Sequence, residues 1–293
     1  MIPTIRDIRV ICTQPAACRL IVVKVETSEP GLFGLGCATF TQRPLPVVSA
    51  VETGLKPLLL GRAVDRIEDI WQIAYQHAYW RNGPVLGNAL SGIDMALWDI
   101  AGKRANMPVH DLLGGRLRDG AWVYRHADGK SPEQVADKIR AYQAEGVRYV
   151  RCQMGGYGGA GSIAADNLPK GSYYDPAVYQ RSVIKLFEHL RGELGEELEM
   201  LHDVHERLAP SDAVRFAKDL ERFRLFFLED LLAPEDSEWF ARVRQVCTTP
   251  IAMGELFNNP REWTPLIAAR HIDYIRMHIS QMGGLTPARK VAT

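Results

Sequence analysis

LEMLHDVHERLAPSDAVRFAKDLERFRLFFLED, residues 198–230, carries the pattern that decides the fold. A short apolar run closes on Asp203, an amphipathic segment opens at Pro210, and a second apolar run closes on Glu229. Short apolar runs bounded by turn signals read as buried strands, and the segment between them has helical spacing. The unit then repeats and ends at IAMGE, 251–255. Upstream lie a strand AWVYRHA (121–127), a helix 131–145 started by Ser131-Pro132-Glu133, a strand VRYVRCQM (147–154), a Gly-rich stretch 154–176 and a helix 177–194. Downstream come helices 235–246 and 260–269, a strand DYIRMH (273–278) and a helix just beginning at 285–293. Strict β–α alternation predicts an α/β protein with a parallel sheet, open or closed into a barrel.

The first third reads differently. Residues 5–12 and 19–26 and the run to Ala38 alternate in the manner of strands, with a Glu29-Pro30-Gly31 turn between the last two, and predict a meander. Helical spacing follows in Val48, Val51, Leu55 and Leu58, in Ile67, Ile70, Ile73 and Ala74, and over 86–105.

Composition narrows the function classes. The 293 residues carry 35 Lys+Arg and 35 Asp+Glu, so no basic excess points to nucleic acid or to an anionic membrane. No stretch approaches the ~18–20 apolar residues of a membrane span. The N-terminus MIPTIRDIRVICT lacks the basic start and apolar block of a signal peptide. The five cysteines include no C-x-x-C pair, which is the pattern of a cytoplasmic protein with buried thiols.

Asp203, Glu229 and Glu255 stand 26 residues apart each time, one strand–helix unit per interval. In a β/α barrel such positions form the C-terminal rim, where active sites sit. A single acid at a strand end is commonly a helix cap. Three converging carboxylates repel one another unless a cation lies between them, and oxygen-only ligands suit Mg²⁺. His205 follows Asp203 by two residues and is a candidate general acid. Arg151 and Gln153, His126, and Arg276 with His278 close three other strands with polar groups at the same end.

ALSGIDMALWDIAGKRANMPVHDLLGG, residues 89–115, closely resembles the signature of the enolase superfamily, in its mandelate racemase/muconate lactonizing branch. Within that branch RIEDIWQ, AYWRNGPV, VYRHADG, LHDVHERLAP, FFLED, GELFNN and IDYIRMHISQMGGLTPARK resemble the mannonate dehydratase group, which includes starvation-sensing proteins. The resemblance implies an α+β capping domain, assigned to 1–118, and a TIM-type (β/α) barrel, assigned to 119–293. It implies Asp203, Glu229 and Glu255 as Mg²⁺ ligands, and abstraction of the proton α to a carboxylate. In a dehydratase the 3-hydroxyl is then eliminated to give a 2-keto-3-deoxy sugar acid. His205 matches the histidine that protonates the leaving hydroxyl, and Arg151 matches the arginine paired with a base tyrosine. That tyrosine's position is Ile163 here; of the loop's Tyr157, Tyr173 and Tyr174, Tyr157 is assigned as substitute because it stands nearest Arg151. His126, Gln153, Arg276 and His278 are assigned to the substrate side.

The partner expected is a small sugar acid, an aldonate, with a homo-oligomer implied for the full-length protein. Within the resemblance, an epimerase, a dehydratase for another sugar acid and a non-catalytic sugar-acid-binding protein stand as alternatives. About six of eight barrel strands are counted, against a usual length of roughly 250 residues for such a barrel, so a partial record of a longer protein is expected.

Overall fold

A computed structural model describes residues 2–155 and 175–293. Tyr157, Ile163, Tyr173 and Tyr174 lie outside the described residues. Two compact units are present: Met1–Asp119 with Glu255–Pro260 and Met277–Thr293, and Gly120–Gly254 with Arg261–Arg276.

In the first unit, β1 (Ile5–Thr13), β2 (Leu20–Thr27) and β3 (Phe33–Cys37) form an antiparallel meander. Ile5, Ile8, Ile21, Val23 and Val25 alternate onto its buried face. Helices α1 (Pro44–Ser49), α2 (Lys56–Leu59), α3 (Ile67–Gln76), α4 (Pro84–Ala105) and α5 (Val109–Leu112) follow. Between α1 and α2 the chain makes a π-helical turn, Ala50–Leu55. This shifts the predicted apolar stripe. Val47, Val51, Leu55 and Leu59 are buried, while Val48 and Leu58 are only partly so, because the wider turn gives a repeat of four residues. Helix α4 packs on β3, and Gly34 is needed there: a Cβ would stand 1.9 Å from the Ala96 carbonyl oxygen.

Glu255–Pro260 and Met277–Thr293 group with the first compact unit. Polar contacts within that unit hold them. Trp71 Nε1 donates to the Gly283 carbonyl at 2.9 Å, and Gln281 Nε2 donates to the Glu255 carbonyl at 2.8 Å. Helix α11 (Leu285–Ala292) is capped by a distant residue: Asp94 Oδ2, on α4, accepts the Thr286 N–H at 2.9 Å. Trp98 Nε1 donates to Thr286 Oγ1 at 2.9 Å. Gly284, at φ +104, admits this approach, since a Cβ there would meet Asp94 Oδ2 at 2.5 Å.

Burial raises Asp94 from 3.8 to about 6. An acid whose folded pKa is raised stabilises the fold in its protonated form. The contribution is complete below the unfolded value and is lost as pH rises through the folded one, a swing of about 3 kcal/mol. Asp94→Asn is therefore expected to flatten the dependence of urea midpoint on pH between about 4 and 7.5. Parallel wild-type and variant curves would show that Asp94 does not govern it.

The second unit alternates strand and helix: β4 (Tyr124–Gly129), α6 (Pro132–Ala144), β5 (Tyr149–Met154), α7 (Pro176–Leu194), β6 (Glu199–Asp203), α8 (Pro210–Leu220), β7 (Phe227–Glu229), α9 (Phe240–Val246), β8 (Ile251–Met253), α10 (Pro260–Ala268) and β9 (Tyr274–Ile275). The helix starts follow their sequence signals: Ser131 Oγ caps α6 and Asp175 Oδ1 accepts two N–H groups at the start of α7. The six strands pair in parallel in sequence order. The sheet is strongly curled. Five steps of about 4.8 Å would put β4 and β9 about 24 Å apart if it were flat. Instead Arg276 Nε, just past β9, lies 3.2 Å from the Tyr124 hydroxyl on β4.

Candidate active site

Period-two alternation sorts the strand residues of the second unit. Val150, Cys152, Met200, His202 and Leu228 are buried on the helix side. His202 is fixed there as a neutral ring: Nδ1 donates to the Cys152 carbonyl at 2.9 Å, Nε2 accepts the Tyr179 O–H at 2.8 Å, and burial lowers its pKa to about 4. On the other face, Leu201, Phe227 and Ala252 form an apolar floor with Tyr124 and Phe226 against it. Tyr274 packs on Phe226 and Phe227, at centroid distances of 5.5 and 5.4 Å. One alternation further along, the same face turns polar, with Asp203 and Glu229 in one layer; Arg151 stands beside Leu201, in register with the floor.

Asp203 and Glu229 end their strands in register with each other. Both are buried, as is Asp230, and one carboxylate oxygen from each of the three lies within 4.8 Å of the others. Asp203 Oδ2 takes Arg151 Nη1 at 2.8 Å and faces His205 Nε2 at 3.0 Å, while Oδ1 accepts the His205 backbone N–H at 2.9 Å. Burial pushes the Asp203 pKa up. The His205 hydrogen bond and the charges of His205, Arg151 and Arg276 outweigh it and hold the group below the ordinary aspartate value. Glu229 moves the other way, raised by burial and by the negative charge of Asp203.

Arg276 neutralises part of this charge. Its Nε lies 2.5 Å from Glu229 Oε1, and its Nη1 donates to Asp230 Oδ2 at 3.1 Å. Glu229 Oε2 is buried and has no hydrogen-bond partner among the described residues. A buried carboxylate oxygen of that kind is costly alone and is satisfied by a cation. With an all-oxygen donor set, the pocket fits a hard divalent ion such as Mg²⁺.

His205 reaches the cluster by an unexpected route. Strand β6 stops at Asp203, and His205 stands at φ 54, so a left-handed turn, not the pleat, returns its ring to Asp203. The Gln153 amide lies 3.4 Å from Nδ1 and Asp203 Oδ2 lies 3.0 Å from Nε2, so both ring nitrogens face polar groups. His126 stacks on Tyr124 with centroids 5.6 Å apart, and burial and the Arg151 charge lower its pKa. Seven of the predicted residues, Arg151, Gln153, Asp203, His205, Glu229, Arg276 and His126, thus belong to one cluster.

Glu255 and His278 lie in the segments of the first unit, where Ser280 Oγ is 3.0 Å from His278 Nδ1. The equal sequence spacing does not carry Glu255 into register. Glu229 pairs with Ala252, three residues before Glu255, because β8 ends at Met253 and the Gly254 N–H goes to Asp230 Oδ1 at 3.0 Å. Tyr157 lies outside the described residues.

Sequence reasoning missed Asp230 and Tyr124. Asp230 follows Glu229 directly, where the pleat would point it away; φ 43 turns it back. Tyr124 lies two residues before His126 and shares its face, a signal present in VYRHADG but not used.

Comparison with known proteins agrees with this architecture. Residues 134–293 match the enolase C-terminal domain-like family, and residues 3–114 match the mandelate racemase/muconate lactonizing enzyme N-terminal domain. Those two domains define the class: an enolase-superfamily protein with an N-terminal capping domain and a parallel α/β barrel domain. The D-galactonate dehydratase family member RspA of Pantoea ananatis is 54% identical, over 98% of this chain and 74% of its own. A D-galactonate dehydratase family member of Enterococcus gallinarum is 53% identical, over 98% of this chain and 72% of its own. The chain belongs to the D-galactonate dehydratase family and is by class a hydro-lyase. Among solved structures, an enolase from Pantoea ananatis with bound D-gluconate and Mg superposes with a TM-score of 0.94 at 52% identity, covering 99% of this chain and 74% of that one. The 3,6-anhydro-D-galactonate cycloisomerase of Zobellia galactanivorans has the same fold at 26% identity, with a TM-score of 0.80 over 99% of this chain and 76% of that one. No described helix is long and apolar enough to cross a membrane.

Proposed function

We propose that the chain is a Mg²⁺-dependent dehydratase of a six-carbon aldonate, D-mannonate or D-gluconate, forming the 2-keto-3-deoxy acid. The observation that carries this is the pair Asp203 and Glu229, in register and buried, with Glu229 Oε2 left without a protein donor. Asp203 and Glu229 would hold the ion, with Glu255 as the third ligand and Asp230 braced beside them by Gly254 and Arg276. Bound there, Mg²⁺ supplies a Lewis acid against the charge that develops on the substrate carboxylate.

The chain's own groups do the proton work. Loss of the C2 proton leaves an enediolate, which expels the C3 hydroxyl; the His205 imidazolium gives that group its Nε2 proton, so that it leaves as water and the ring is left neutral. The Asp203 carboxylate, 3.0 Å from Nε2, orients the ring and favours its charged form. Tyr157 is assigned as the base. Support comes from Arg151, whose buried Nε has no hydrogen-bond partner among the described residues and can serve a phenolate from the loop that follows β5. D-mannonate and D-gluconate differ only at C2, so the face on which the base stands selects between them. His126, Gln153, Arg276 and His278 are assigned to the substrate.

The experiment is a panel of D-mannonate, D-gluconate and D-galactonate with Mg²⁺, read by 2-keto acid formation and by deuterium exchange at C2. His205→Asn is expected to cut dehydration by about 10²- to 10⁴-fold while C2 exchange persists. Exchange without dehydration in the wild type would indicate an epimerase. Binding of all three acids with neither reaction would make the chain a sugar-acid-binding protein.

A further inference from the structure

The Tyr124 hydroxyl stands at the centre of the charge cluster, although its ring belongs to the apolar floor. It donates to Glu229 Oε1 at 3.2 Å and accepts from Arg276 Nε at 3.2 Å. Its direction is settled by these neighbours. Because the Arg276 N–H faces the phenol oxygen, the phenol's own proton is left for the carboxylate. The ring cannot drift: it stacks on His126 at 5.6 Å and meets the Phe227 edge at 6.1 Å. The hydrogen bond from Tyr124 and the ion pair with Arg276 therefore both sit on one oxygen of Glu229, Oε1, and the other, Oε2, is the buried atom with no hydrogen-bond partner among the described residues.

We infer that Tyr124 is a positioning residue for Glu229: its O–H pins Oε1 and reserves Oε2 for the divalent cation. Arg276 cannot do this alone, since the same guanidinium is also held by Asp230 Oδ2 at 3.1 Å. Outer partners of this kind fix the orientation of a ligating carboxylate, and their loss costs about 10- to 100-fold in metal affinity. The inference rests on the metal site proposed above.

The test uses Mn²⁺ as the probe with the whole chain, read by titration calorimetry and by the electron paramagnetic resonance spectrum of the bound ion. Tyr124→Phe keeps the ring and removes the hydroxyl. It is expected to weaken Mn²⁺ binding by about 10- to 100-fold and to alter the spectrum, with the metal-free melting temperature unchanged. Phe226→Leu disturbs the same floor without touching a hydrogen bond or the His126 and Phe227 contacts of the Tyr124 ring, and is expected to leave Mn²⁺ affinity as in the wild type. Wild-type affinity in Tyr124→Phe would overturn the positioning role and leave the metal site standing. Equal losses in both variants would assign the effect to packing and overturn it as well. So would a Tyr124→Phe chain that does not fold without metal. Failure of the wild type to bind Mn²⁺, or binding indifferent to Glu229→Gln, would instead remove the metal site itself, and the inference with it.

Discussion

Asp203→Asn is expected to lower 2-keto acid formation by about 10³-fold or more, the largest effect of any single change in the site. Three functions meet on this carboxylate. It is a proposed ligand in the oxygen donor set, it receives Arg151 Nη1 at 2.8 Å, and it faces His205 Nε2 at 3.0 Å. A neutral amide keeps the size but lowers the charge offered to the cation, and it presents one oxygen where two are used. With its oxygen at the Oδ2 place the amide loses the His205 backbone N–H; turned over, it loses both Arg151 and the His205 ring. The check is parallel measurement of Mg²⁺ affinity by calorimetry and of turnover. Near-wild-type turnover in Asp203→Asn would remove Asp203 from the mechanism.

Arg276→Met is expected to produce the largest loss of stability, about 3–5 kcal/mol in the metal-free protein. The guanidinium lies between two carboxylates with no solvent exposure, at 2.5 Å from Glu229 and 3.1 Å from Asp230, while its own side chain is 26% exposed. Removing it leaves both acids buried with less compensation, and Glu229 is already raised by burial and by Asp203. A cation in the same cluster substitutes for part of the lost charge. Saturation at a hundred times the dissociation constant stabilises by about 2.7 kcal/mol, so added Mg²⁺ is expected to raise the melting temperature more in Arg276→Met than in the wild type. Unchanged metal-free melting, or an equal Mg²⁺ increment in both proteins, would mean that Arg276 does not neutralise the cluster.

Much of the site was legible because a strand has a period of two. Asp203 and Glu229 could be placed on a common inner face from spacing, and Arg151 and Gln153 with them, since each residue's face follows from its neighbours in sequence. The same rule misplaced Asp230, whose left-handed backbone turns it into the cluster, and reached the right answer for His205 by the wrong route. Equal spacing did not put Glu255 into ladder register with Glu229, because β8 ends at Met253 and the ladder registers only the strand. In the first unit the helical spacing named the helices, but around the π-helical turn at Ala50–Leu55 the ends of the buried stripe fall on Val47 and Leu59 in place of Val48 and Leu58.

By itself the sequence determined the order of strands and helices, the apolar bodies with polar ends, and a motif that places the chain in its superfamily. These are local properties, written in spacing and residue type. Only the tertiary structure decided which polar ends converge. Tyr124 and Arg276 are 152 residues apart, yet they share Glu229 Oε1 because the sheet curls back on itself. The capping of α11 by Asp94 across 192 residues is of the same kind. Curl, register and left-handed turns arise from packing among all the strands and helices at once, so no window of sequence contains them.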